Sequence, residues 1–109
     1  MTTANRAFFA IKHTEVRDMW MIDEGNLQSQ IGAIIFETSE DAQRFLDTRR
    51  LRRGFRAKLV VAEVSVETIR ALAKMAREFS AEPATQYNDG RPYWTARAEY
   101  LEAFLPLAA

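Results

Sequence analysis

Residues 31–64 read IGAIIFETSEDAQRFLDTRRLRRGFRAKLVVAEV, and this stretch decides the architecture. Ile31 to Phe36 is an apolar run suited to a strand. Thr38-Ser39-Glu40-Asp41 then has the chemistry of a helix start. Ser39 can cap with its hydroxyl, or Thr38 and Asp41 can make the capping-box spacing, and both acids sit where the helix dipole favours negative charge. Ala42, Phe45 and Leu46 supply the i, i+3, i+4 apolar stripe. Arg49, Arg50, Arg52 and Arg53 follow at the end that favours cations, and Gly54 can supply a left-handed C-terminal residue. The segment AKLVVAEV, residues 57–64, reads as the next strand. Lys58 and Glu63 within it need solvent or partners.

On the N-terminal side, RAFFAIK (residues 6–12) reads as a first strand buried on both faces. Met19 to Ile22 is apolar on both parities. Asp23-Glu24-Gly25-Asn26 is a turn signal, so a hairpin is expected from about Arg17 to Phe36. On the C-terminal side, Ser65 caps a helix, VETIRALAKMAREF, with Ile69, Leu72, Ala73, Ala76 and Phe79 as its core stripe. Residues 80–83 break that pattern. Residues 84–94 read as a short hairpin around Asn88-Asp89-Gly90, with Pro92 making its second arm an edge or not a strand. Thr95 is placed to cap a last helix carrying Tyr100, Leu101, Phe104 and Leu105, which Pro106 ends. Strands gathered early and helices late imply an α+β domain: about four to five strands in an antiparallel or mixed sheet, with two or three helices packed on it.

A chain of 109 residues and 48% hydrophobic composition is the size of one domain. It carries 15 basic and 15 acidic residues, so its formal charge is zero. The charge is unevenly placed. Residues 12–41 hold two bases against seven acids, and residues 44–58 hold seven bases against one acid. The absence of cysteine removes disulfides, iron–sulfur clusters, thiolate zinc sites and thiol nucleophiles, and fits a reducing cytoplasm. No stretch approaches the ~20 apolar residues of a membrane helix, and Lys12 and His13 interrupt what would otherwise be a signal-peptide core.

Two groups of residues stand out as candidate sites. Arg49, Arg50, Arg52, Arg53 and Arg56 form a basic cluster suited to phosphate or another anion. The competing expectation is a solvated helix end whose arginines pair with Glu37, Glu40, Asp41 and Asp47. The second group is aromatic and polar: Tyr87, Arg91, Tyr93 and Trp94 on the expected hairpin, with Met19, Trp20 and Met21 as an adaptable apolar strip for a partner. His13 has Glu15 and Asp18 nearby but no matched nucleophile. No calcium-loop, paired-histidine or glycine-rich phosphate motif is present. The expectation is therefore a non-catalytic cytoplasmic interaction or regulatory module, without cofactor or metal. It would pair with itself as a homodimer or with another protein, and would not bind a membrane. A nucleic-acid or anionic-ligand binder using Arg49 to Lys58 is the alternative.

Overall fold

The computed structural model describes residues 6–23, 26–83 and 89–108. Its elements are β1 (Phe8–His13), β2 (Trp20–Met21), β3 (Leu27–Gln28), α1 (Ser39–Thr48), α2 (Arg53–Arg56), β4 (Leu59–Val64), α3 (Val66–Ser80) and α4 (Arg91–Glu102). Short 3-10 turns lie at Gln30–Gly32 and Leu105–Ala108. The fold is α+β. Two compact units divide the chain: Ala7–Val64, and Ser65–Ala109 with Met1–Arg6.

In the first unit the strands pair antiparallel in the order β3-β2-β1-β4. The β1–β4 pairing runs without a bulge from Phe8 opposite Val64 to His13 opposite Leu59. The other edge of β1 is shared. Lys12 lies opposite Trp20, while Phe9 exchanges hydrogen bonds with Phe36 at 2.9 and 2.7 Å. Phe36 and β4 thus flank β1 from opposite sides, and the connection through α1 and α2 crosses over it.

The hairpin after residue 17 is shorter than its sequence suggests. Its return arm is Leu27–Gln28, and Ile31–Phe36 does not continue it. The chain leaves β3 through the 3-10 turn, where Asp18 accepts from the Gln30 amide at 3.2 Å. Asp18 itself has φ of 54°, a left-handed conformation that Asp tolerates better than most side chains. A Cβ at Gly32 would lie 3.1 Å from Ile22 Cγ2, so this close approach favours glycine. Ile34 then bonds back to the Met21 carbonyl at 3.1 Å. An apolar run can serve a strand or a buried extended segment equally well, and here it serves the latter.

Thr38 caps α1 by accepting from the Asp41 amide at 3.0 Å. The helix then packs on β1 and β4. Ile11, Met21, Leu46 and Leu59 form the centre of this core, with Phe36, Phe45, Leu51, Phe55 and Val61 against it. The helix stops at Thr48, and the expected left-handed C-cap at Gly54 does not occur. Gly54 lies inside α2, and no described glycine has positive φ.

In the second unit Ser65 caps α3, accepting from the Thr68 amide at 3.1 Å. Val66, Ile69, Leu72, Ala73 and Ala76 are its buried face. The α4 helix packs on α3, and a two-pronged Arg77–Glu102 pair at 2.9 and 2.6 Å ties them. Residues 91–94 are not a strand. They are the first turn of α4, where Pro92 needs no amide partner and its fixed φ suits the helix. Thr95 is therefore inside the helix rather than its cap. The helix also ends earlier than expected, at Glu102, before the 3-10 turn that contains Pro106.

Candidate functional site

The arginine cluster is built by a turn rather than by a helix end. The Thr48 hydroxyl donates to the carbonyls of Arg44 and Phe45 at 2.9 and 3.2 Å, giving a partner to one of the carbonyls that the end of α1 leaves open. Arg49 then turns extended, with φ of −85° and ψ of 144°. Leu51 donates to the Arg49 carbonyl at 3.1 Å and sits half-buried against the core, as does Phe55 four residues later. These two apolar anchors hold the turn down. Arg50 and Arg52 flank Leu51 and are exposed, as is Arg53 at the start of α2.

The expected pairing with flanking acids occurs in part, through Asp47 and Asp41. Asp47 passes over the nearer arginines and takes Arg56, nine positions along, at 2.9 Å. Hydrogen bonds from Arg56 and then from Gln43 hold the Asp47 carboxyl below its ordinary range. Asp41 pairs with Arg44 at 3.3 Å, and Glu40 accepts from the Ser39 hydroxyl at 3.1 Å. Glu15, distant in sequence, takes Lys58 at 3.2 Å. Arg49 lies over the Phe45 ring, with Cζ 3.9 Å from its centroid. Arg50, Arg52 and Arg53 therefore remain exposed, and no hydrogen bond or ion pair joins their side chains to any described residue. Arg49 and Arg53 do not share a helix face, because α1 ends before Arg49 and Arg53 opens α2.

Arg91, Tyr93 and Trp94 lie on the first turn of α4 rather than on a hairpin arm. Tyr87 lies outside the described residues. Asp89 grips Arg91 through two side-chain bonds at 2.8 and 2.9 Å and accepts from its backbone amide at 3.1 Å. The Arg91 side chain and then its amide lower the Asp89 carboxyl, and Asp89 raises the guanidinium in return. Trp94 is half-buried, with its ring 4.8 Å from Phe79 and 4.9 Å from Tyr93. It joins the two helices of its unit. Tyr93 is widely open, at 55% exposure, and Arg91 is exposed as well. Arg97, not singled out from sequence, sits 4.5 Å over Tyr100, and burial lowers its guanidinium from the usual range. Its spacing one turn after Tyr93 and one before Tyr100 was the available signal.

The expected partner strip from Met19 to Met21 is a correction. Met21 is 1% exposed within the core, and Trp20 is 8% exposed with Lys12 Nζ 5.6 Å from its ring. Met19 is half-buried. Trp20 and Met21 point to opposite faces of the sheet and both are buried, so little of this strip faces solvent. His13 also has a local role: its Nδ1 accepts from the amides of Glu15 and Val16, both at 3.0 Å, and so shapes the turn after β1. That leaves neither Glu15 nor Asp18 orienting the ring through Nδ1. Among the described residues, no three His, Asp or Glu side chains converge as a metal site, and no helix is long and apolar enough to cross a membrane.

Comparison with protein-family models, curated proteins and solved structures finds no match to this chain.

Proposed function

We propose that this chain is a non-catalytic interaction module that docks an acidic partner protein through Arg50, Arg52 and Arg53. One observation carries the reading: Asp41 and Asp47 are engaged with Arg44 and Arg56, and the guanidinium groups of Arg50, Arg52 and Arg53 stand exposed. Guanidinium presents a rigid fork of donors that matches carboxylate oxygens in pairs. Leu51 and Phe55 anchor the backbone beneath, so less order must be imposed on the turn when a partner binds.

The same arginines suit phosphate, but two features favour a protein. The whole molecule is neutral, whereas nucleic-acid domains tend to be basic. The aromatics nearest in sequence, Phe45 and Phe55, pack against the core rather than offering open rings for base stacking.

Titrating the protein with a glutamate-rich peptide and with single-stranded DNA, at ~50 mM salt where phosphate contacts are strongest, tests this. Binding of the peptide, lost by tenfold or more in the combined Arg50→Ala, Arg52→Ala, Arg53→Ala variant, is expected. DNA binding tighter than peptide binding, or a variant that binds the peptide as well as the parent, overturns it.

A further inference from the structure

We infer that the acidic partner is an extended segment that adds as a fifth strand to the free edge of β4, with its acidic end at the arginine turn. This rests on the reading of Arg50, Arg52 and Arg53 given above.

β4 is the last strand in the sheet order. Its open groups follow from the register. Phe9 uses both its amide and its carbonyl on Phe36, and it lies opposite Glu63. Phe9 and Glu63 are thus a pair without hydrogen bonds between them, and the ladder is made by the alternate pairs Phe8–Val64, Ala10–Ala62 and Lys12–Val60. The Thr14 amide bonding to the Lys58 carbonyl at 2.8 Å has the same parity. Leu59, Val61 and Glu63 therefore turn their amides and carbonyls away from β1. No hydrogen bond joins any of these outward groups to a described residue.

Proteins usually blunt such an edge with proline, a bulge, brevity or lysine. This strand has none of the first three: it is six residues long, without proline, and its register is unbroken. Its lysine neighbour, Lys58, is paired with Glu15. Val60 is 41% exposed and Glu63 is exposed, so solvent reaches the strand. Six residues of strand span roughly 20 Å, the footprint of a peptide in strand addition. A second copy is the less favoured occupant, because a stable dimer buries about 1,200 Å² or more and one short strand pair supplies little of it.

Charge sets the direction. The Leu59 end adjoins the arginine turn, and the other end carries Glu63. A segment pairing antiparallel, the slightly stronger mode, runs from Glu63 toward Leu59. Its acidic residues then follow its extended portion, on the C-terminal side.

The test uses a synthetic peptide of alternating valine and threonine ending in a run of glutamates, with glutamates alone and glutamates-first versions as controls. The first peptide is expected to bind most tightly and to slow amide exchange at Leu59, Val61 and Glu63. Val60, Ala62 and Val64 should already exchange slowly in the free protein. N-methylating the peptide amides that face the edge should weaken binding roughly fivefold per hydrogen bond removed. If the peptide binds through the arginines but tolerates N-methylation and leaves exchange unchanged, the edge inference fails and the arginine reading stands. If the edge is protected equally well when the three arginines are alanine, the acidic-end assignment and the arginine reading both fail. If the three amides become protected in the free protein as its concentration rises, a second copy occupies the edge and the peptide assignment is overturned.

Discussion

Asp47 controls how basic the arginine turn is. It holds Arg56 at 2.9 Å and stands as the one acid among residues 44–58. Asp47→Asn removes that charge and releases Arg56 toward the cluster. Affinity for an acidic peptide is expected to rise by about twofold to fivefold, the scale of exposed charge pairs, and calorimetric titration reads it directly. A fall in affinity would mean that Asp47 positions the turn rather than neutralising part of it. The basic cluster was legible as composition, but its pairing was not. Asp41 and Asp47 are equally plausible neighbours for several arginines in a list of residues. Only the return of the chain at Leu51 and through α2 brings Arg56 to Asp47 and leaves Arg50, Arg52 and Arg53 outside. In the same way, Met19, Trp20 and Met21 look like a partner strip until the structure shows Trp20 and Met21 buried.

At the scale of elements, α2 offers a direct check on the local conformation. Gly54 lies within this short helix, and a Cβ added there meets nothing within 4 Å. Gly54→Ala should therefore stabilise the protein by about 0.4–1 kcal/mol, seen as a raised denaturant midpoint. The left-handed cap suggested by the sequence would give the opposite sign, because alanine is strained at positive φ. For α3, Ser65→Ala removes the acceptor of the Thr68 amide and is expected to cost about 1 kcal/mol in the same measurement. The α3 helix was fully legible because cap, apolar stripe and length agree. The α4 helix was not. Asp89-Gly90 followed by Pro92 has the chemistry of a turn and an edge arm, yet the same proline is equally at home in a first helical turn. Nothing within residues 91–94 distinguishes the two. The edge of β4 was hidden for another reason: the sequence marks a strand, but only strand order shows which side lacks a neighbour.

For the molecule as a whole, acid is the informative perturbation. Asp47, Asp89 and Glu102 all have carboxyls lowered by an arginine: Arg56, Arg91 and Arg77. A carboxyl with its folded value depressed binds its proton more readily in the unfolded chain. Its contribution is present above the ordinary values, 3.8 for aspartate and 4.5 for glutamate, and is lost as pH falls through the folded value. Thermal midpoints should be nearly level from neutral pH down to those values and should then fall. Glu102→Gln should make the fall shallower by removing the Arg77–Glu102 pair. A midpoint that rises below pH 3.8 would contradict the pairing. These pairs lie on the surface, so they tune stability rather than create it. The neutral total charge conceals a divided sequence, acidic through residues 12–41 and basic through residues 44–58. An interaction module needs such a local field more than it needs net charge.

Charge reversal asks whether Arg50, Arg52 and Arg53 recognise negative charge on a protein. Fluorescence anisotropy would compare the parent with the combined Arg50→Glu, Arg52→Glu, Arg53→Glu variant, each titrated with a glutamate-rich and with a lysine-rich peptide. The parent is expected to bind the glutamate-rich peptide, and the variant to exchange this preference for the lysine-rich one. A variant that folds normally and keeps the parent's affinity for glutamate would contradict it.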